Sequence, residues 1–160
     1  METANTAQEL LESEFVENRR LALVCVDHAQ QLETIKAALV ALGYTVHLAT
    51  EPVRALESLR QNRYDMVILH EEYGGSAEHN LVLQTIQPMA MALRRYLCVG
   101  LIGRHFRTFD HMMAFVKSVN FVVAERELSK MQVIVQQAVS EHEQFYRVFL
   151  ESLREAGKPV

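Results

Sequence analysis

A run of four apolar residues at positions 66–69 constrains the fold of this chain more than any other feature of its sequence. Polar residues flank the run, and Gly74 and Gly75 follow shortly after it. This pattern is typical of a short strand buried on both faces inside a parallel sheet. His70 follows the run directly. Because ligands and reacting groups lie at the carboxyl ends of strands in open parallel sheets, the identity of residue 70 bears on function.

Similar apolar runs alternate along the chain with segments whose apolar residues recur every three or four positions. Strands are predicted at residues 21–26, 44–49, 66–69, 96–102 and 121–123. Helices are predicted at residues 31–42, 53–61, 80–92 and 110–118, and a long final helix begins at residue 127. Pro88 is expected to kink or end the third of these helices. The alternation predicts an α/β protein with a doubly wound, five-stranded parallel sheet and helices on both faces.

The length of 160 residues fits one domain with extensions better than two domains. We expect an N-terminal helical extension over residues 1–19, in which residues 6–18 form the helix. The main domain is expected over residues 20–140, and the last helix continues over residues 141–160.

The composition narrows the range of partners. A formal charge of −4 and an isoelectric point near 6.0 predict no nucleic-acid partner, because nucleic-acid binders carry a basic face. Cys25 and Cys98 lie in apolar runs and are expected to be buried, reduced thiols. No apolar stretch reaches the roughly 18 residues that span a bilayer, and no basic leader precedes an apolar core. We therefore expect a cytoplasmic protein without a membrane partner.

Four stretches carry a resemblance to a known family: residues 21–27, the helix end at residues 41–44, Ala55-Leu56, and residues 64–69. In these stretches the chain resembles the receiver domain of bacterial response regulators over about residues 20–140. The resemblance implies a flavodoxin-like sheet with strand order 2-1-3-4-5. It also implies a site in which carboxylates after strand 1 and an aspartate ending strand 3 hold magnesium. In that family the strand-3 aspartate takes a phosphoryl group from a histidine kinase.

The chain departs from the receiver pattern at nearly every position of that site. The phosphoacceptor position falls on His70, which cannot form an acyl phosphate and is a poor ligand for magnesium. Of the two strand-1 acidic positions, the first falls on Val26 and only Asp27 remains. The strand-4 hydroxyl falls near Ile102-Gly103, and the strand-5 lysine falls on Ala124-Glu125. We therefore interpret the chain as a pseudo-receiver whose His70 is not phosphorylated.

Three interpretations remain open for other chemistry at the carboxyl ends of strands 1 and 3. Asp27, His28, His70 and Glu72 could together bind zinc or another borderline metal, which would make the domain a metal or ligand sensor. Alternatively, His70 fills the old phosphate pocket and hydrogen-bonds Asp27, so that no cofactor is needed. His70 as a phosphohistidine relay is the least favoured possibility. No nucleophile, base and orienting residue form a catalytic pattern, so we expect no enzyme.

The long final helix keeps its apolar spacing beyond the length that can cover a sheet. Around positions 145–153 the helix is apolar over much of its circumference, which indicates an interface. Its expected contact residues are Phe145, Tyr146, Phe149 and Leu153. The surface could bind the N-terminal helix through Leu10, Leu11, Phe15 and Val16, or it could form a homodimer. The leading hypothesis is a phosphorylation-independent scaffold that binds protein partners in bacterial signal transduction by two-component systems.

Overall fold

A computed structural model describes residues 20–158, so the helix predicted at residues 6–18 lies outside the described part of the chain. The strands are β1 Leu21–Cys25, β2 Thr45–Leu48, β3 Met66–His70, β4 Cys98–Gly103 and β5 Phe121–Ala124. The α-helices are α1 Ala29–Ala41, α2 Pro52–Gln61, α3 Leu81–Ile86, α4 Met91–Arg94, α5 His111–Lys117 and α6 Met131–Glu155. Short 3-10 helices occupy Ala77–His79 and Glu125–Lys130.

All strand pairs are parallel, and the five strands follow the order β2-β1-β3-β4-β5. This confirms the predicted doubly wound sheet. The register pairs His70 at the end of β3 with Ile102, and Gly103 at the end of β4 with Ala124. The carboxyl ends of the three strands therefore meet at one edge of the sheet, where side chains that follow them can interact.

Pro88 ends the third predicted helix. The sequence predicts a helix over residues 80–92 that is kinked or ended at Pro88. The structure has two separate helices in this region, α3 before Pro88 and the short α4 after it. Proline has no backbone N–H to continue a helical hydrogen-bond ladder. Asn80 caps α3, because its side-chain oxygen accepts a hydrogen bond from the N–H of Leu83 at 3.1 Å.

The sheet separates two hydrophobic cores. Helices α1 and α6 cover one face, whereas α2, α3 and α5 cover the other. Strands β1, β3, β4 and β5 are buried on both faces, which explains why they appear in the sequence as continuous apolar runs rather than alternating ones. The edge strand β2 is partly exposed. Gly100 in the middle of β4 leaves room for the ring of Phe121, which a Cβ at position 100 would approach to 2.4 Å.

Both cysteines are buried and free, as expected, at 0% exposure for Cys25 and 3% for Cys98. Burial raises the pKa of both thiols, that of Cys98 to about 12. The thiols therefore stay protonated and serve as packing groups.

Helix α6 is longer than the core that it covers. Its fully buried residues are Met131, Ile134, Val135 and Ala138, and none of residues 140–158 is fully buried. The rest of the helix continues past the amino-terminal edge of the sheet, where it faces Arg20, Asp65 and Arg95. None of the helices in residues 20–158 is both long and apolar enough to cross a membrane.

Candidate functional site

His70 is the centre of the site at the carboxyl edge of the sheet. Its side chain is almost fully buried, with 5% of the residue exposed, and both ring nitrogens have partners. Nδ1 accepts a hydrogen bond from the backbone N–H of Glu72 at 3.1 Å, and Nε2 lies 3.0 Å from Oε2 of Glu125. Because Nδ1 acts as an acceptor, the ring proton is on Nε2 and is donated to the Glu125 carboxylate. The geometry therefore selects a neutral imidazole in one tautomer.

Glu125 follows β5 directly and is the partner of His70, in place of the expected Asp27. The predicted hydrogen bond between His70 and Asp27 is wrong, because both ring nitrogens are already engaged. The Asp27 carboxylate instead accepts from the backbone N–H of Gly74 at 3.1 Å. Asp27 thus holds the loop that follows β3.

Two hydrogen-bond donors and one arginine surround the Glu125 carboxylate. Besides His70, the amide nitrogen of Gln31 on α1 lies 2.8 Å from Oε1, and the Arg104 guanidinium lies 3.8 Å from Oε2. The pKa of Glu125 is lowered, mainly by the hydrogen bond from His70. Burial has the opposite effect, but it is the smaller of the two. Arg104 also pairs with Glu72 at 3.2 Å. Glu72 and Glu125 therefore share one arginine, and the Glu125 carboxylate is further occupied by hydrogen bonds from His70 and Gln31.

No hydroxyl-bearing side chain fits at the end of β4 without a shift. A Cβ added to Gly103 would lie 2.6 Å from the ring of Phe106 and 2.9 Å from Oε1 of Glu71. Such distances are far below normal contact. Phe106 is itself 6% exposed and belongs to the core between the sheet and α2, α3 and α5. At the end of β5, Ala124 has no polar side chain, and its N–H donates to the hydroxyl of Thr108 at 3.0 Å.

The loop after β3 is held at two points that the sequence analysis missed. Tyr73 is 1% exposed, and its hydroxyl donates to the carbonyl oxygen of Ala49 at 2.8 Å. Asn80 donates to the carbonyl oxygens of His70 and Glu71 at 3.0 and 2.9 Å. Asn80 has a sequence signal, since asparagine before an apolar periodic segment is a common N-cap. Tyr73 has no local signal, because its partner Ala49 follows a different strand, β2.

The four proposed metal ligands do not form one centre. Among residues 20–158, no group of three or more histidine, cysteine or acidic side chains is arranged to hold a metal ion. His28 and Asp27 are exposed, whereas His70 is buried and satisfied by Glu125. The Glu72 carboxylate is paired with Arg104. The donor set therefore does not fit the zinc interpretation.

The predicted interface residues on α6 differ in their exposure. Phe145 is 70% exposed and Phe149 is 41% exposed, whereas Tyr146 and Leu153 are half-buried. The guanidinium of Arg95 lies over the ring of Phe149, 4.9 Å from its centroid, in cation–π geometry. The four residues thus share one stretch of helix but do not all face solvent.

The order of the strands and the placement of the helices define the receiver fold of response regulators, a CheY-like variant of the doubly wound sheet. The chain is similar to the chemotaxis response regulator CheY4 of Vibrio cholerae, at 11% identity and a TM-score of 0.61 over 76% of this chain and 99% of that one. A response regulator from Thermotoga maritima matches at 16% identity and a TM-score of 0.58, covering 76% of this chain and 98% of its own. NtrX from Brucella abortus, in complex with ADP, matches at 15% identity and a TM-score of 0.65 over 88% of this chain and 30% of that protein.

At such identities the structural matches establish the fold alone. No family model matches the sequence, and no curated protein matches it either. The recognition of a receiver-like fold is therefore confirmed at the level of three-dimensional structure.

Proposed function

We propose that this chain is a pseudo-receiver, a non-enzymatic platform that binds a protein partner in two-component signal transduction without being phosphorylated. The receiver fold supports the signalling context. The observation that carries the proposal is the hydrogen bonding of His70, whose two nitrogens are both satisfied within the domain. A side chain in this state has no free lone pair to attack a phosphodonor.

The surroundings of His70 also oppose phosphoryl transfer. A phosphoryl group on Nδ1 would displace the N–H of Glu72, and one on Nε2 would displace the carboxylate of Glu125. In either position its negative charge would lie near the carboxylate of Glu125, which is 3.0 Å from Nε2. Like charges at such distances repel strongly in a site that is partly shielded from water. The phosphohistidine relay is therefore disfavoured by electrostatics as well as by geometry.

The partner surface that we propose is the outward side of α6. Phe145, Phe149 and Val148 lie within one helical turn and are 70%, 41% and 65% exposed. A group of large apolar side chains in water favours contact with another protein. We propose a second copy of the chain as this partner, because a helix with one apolar side can pair with itself about a two-fold axis. Helix α5 carries another exposed apolar group, formed by Met112, Phe115 and Val116.

Amide spectra with magnesium and a phosphoryl analogue test the phosphorylation-independent part. The ¹⁵N-labelled protein is titrated with magnesium, then with beryllofluoride and with acetyl phosphate, beside an active receiver as positive control. We expect the amide signals of residues 70 and 103 to remain unchanged. Magnesium-dependent shifts at these residues, or acid-labile phosphate on the protein, would contradict the proposal.

The partner surface is tested by the mass in solution. The double variant Phe145→Ser/Val148→Ser is compared with wild type by light scattering at several protein concentrations. Val133→Ser is the matched control, since Val133 is 66% exposed on the same helix and lies about 22 Å from Val148 along its axis. We expect a dimer for wild type and the control and a monomer for the double variant. A wild-type monomer at all concentrations would rule out self-association at this surface.

A further inference from the structure

A cleft lies at the amino-terminal edge of the sheet, on the side opposite His70. It has a volume of about 470 Å³ and is bounded by the distal half of α6, the start of β1 and the segment before β4. Tyr146 and Leu150 contribute its apolar side, and they lie four residues apart on one face of α6. Phe145 and Val148 are not among the described residues that line it. The cleft is therefore distinct from the outward surface of α6.

Arginines outnumber carboxylates around this cleft. The arginines are Arg20, Arg95, Arg147 and Arg154, and the carboxylates are Asp65, Glu143 and Glu151. Arg20 and Glu143 pair with each other at 2.8 Å, which leaves three arginines and two carboxylates. Of these two, Asp65 already accepts from the backbone N–H of Leu21 at 2.8 Å. A chain with a formal charge of −4 thus presents a locally positive cleft. This arrangement favours an acidic, amphipathic occupant.

The sequence itself supplies such a segment, directly before Arg20. Arg20, which lines the cleft, precedes β1 directly and is anchored to α6 by its ion pair with Glu143. Residues 1–18 contain five glutamates and no lysine, arginine or aspartate. They also contain Leu11 and Phe15, which are four positions apart and would share one face of a helix.

We propose that residues 6–18 bind in this cleft as a helix of the same molecule, with Leu11 and Phe15 against the apolar side and Glu12 and Glu14, which would flank that face, toward the arginines. A 13-residue helix is about 20 Å long, which matches residues 142–155 of α6. The ion pair of Arg20 with Glu143 holds the start of β1 beside α6, so the segment can return along α6 without a long linker. This proposal goes beyond the platform function and does not depend on it, because it leaves Phe145 and Val148 open to another partner.

A spin label on the N-terminal segment tests the proposal in the full-length chain. Cys25 and Cys98 are 0% and 3% exposed, so a nitroxide can be attached selectively to the variant Ser13→Cys. We expect loss of amide signals for residues 142–153 when label and isotope are in the same molecule. A mixture of labelled ¹⁴N protein with unlabelled ¹⁵N protein should show no such loss. Signal loss in the mixture would mean that a second copy supplies the segment. Absence of loss in both samples would mean that the segment does not bind in the cleft. Either result overturns the proposal.

Charge reversal supplies the matched control. Arg147→Glu/Arg154→Glu changes two exposed arginines of the cleft, whereas Arg54→Glu/Arg126→Glu makes the same change in net charge at exposed positions elsewhere. We expect the first pair to restore the signals of residues 142–153 and the second pair to leave the signal loss as it is. Equal effects of the two pairs would refute the electrostatic argument. The amide spectrum of the sheet verifies folding, and the beryllofluoride test remains independent because His70 lies at the opposite edge.

Discussion

The two hydrogen bonds of His70 can be separated by two amide substitutions. In His70→Asn, the side-chain oxygen can take the position of Nδ1 and keep the N–H of Glu72, but the side chain is too short to reach Glu125. In His70→Gln, the amide NH₂ can take the position of Nε2 and keep Glu125, while the N–H of Glu72 loses its acceptor. His70→Ala removes both bonds and most of the buried ring.

The expected losses follow from the burial of each partner. A hydrogen bond to a charged group contributes about 1.5–3 kcal/mol. Since the Glu125 side chain is 27% exposed, water replaces part of the loss, and we expect about 1–2 kcal/mol for His70→Asn. The bond to the N–H of Glu72 is between neutral groups, so we expect about 0.5–1 kcal/mol for His70→Gln. His70→Ala adds a cavity and should lose about 3 kcal/mol.

Urea unfolding followed by circular dichroism measures these free energies, and thermal unfolding provides a second estimate. In a chain of this size about 1 kcal/mol lowers the Tm by roughly 2–4 °C, so the Asn and Ala variants should be clearly resolved. Equal losses for Asn and Gln would refute the assignment of a charged acceptor to Nε2. A fully stable His70→Asn would mean that the contact with Glu125 contributes nothing.

Three further substitutions test the surroundings of this site. Glu125→Gln should destabilise the protein at neutral pH but not in acid. Folding lowers the pKa of the Glu125 carboxyl below its ordinary value of 4.5. The ionised carboxylate therefore stabilises the folded state fully above about pH 4.5, and this stabilisation is lost as the pH falls through the folded-state pKa. Urea unfolding of both proteins at a series of pH values should show the two stabilities converging below the folded-state pKa; a constant difference would contradict this. Gly103→Ser should cost about 1–3 kcal/mol by overpacking against Phe106, and a smaller penalty in the Phe106→Ala background would confirm the cause. Tyr73→Phe should cost about 1–1.5 kcal/mol in urea unfolding, because the carbonyl of Ala49 loses its buried donor; unchanged stability would show that water replaces the hydroxyl.

The sheet could be predicted from the sequence because its signal is local. Strands buried on both faces must be apolar at every position, so residues 66–69 and 121–123 were recognisable as they stand. The helix break at Pro88 was also predictable, since it follows from a missing N–H within one residue. Strand boundaries shifted by one or two residues, as at β4, which begins at Cys98 rather than at position 96. The start of the last helix was wrong by four residues, because Glu125–Lys130 forms a 3-10 helix and α6 begins at Met131 rather than at position 127.

The partner of His70 could not be predicted, because it depends on how several strands are brought together. Glu125 is 55 residues away in the chain and follows a different strand. The resemblance to receiver domains pointed instead to Asp27, the carboxylate that follows strand 1. The choice between them follows from the register and from the position of Gly74, which occupies the Asp27 carboxylate. The position of Phe106 against Gly103 is likewise a packing result that no local pattern indicates.

The sequence by itself determined the class of fold and the absence of an aspartate at position 70, because apolar periodicity and side-chain chemistry are properties of single segments. Only the tertiary structure decided what His70 does there. Burial in a parallel sheet removes water from the imidazole, so each nitrogen must find a partner in the protein. The neighbours supplied by the fold, the N–H of Glu72 and the carboxylate of Glu125, satisfy both nitrogens and hold the ring in one neutral form.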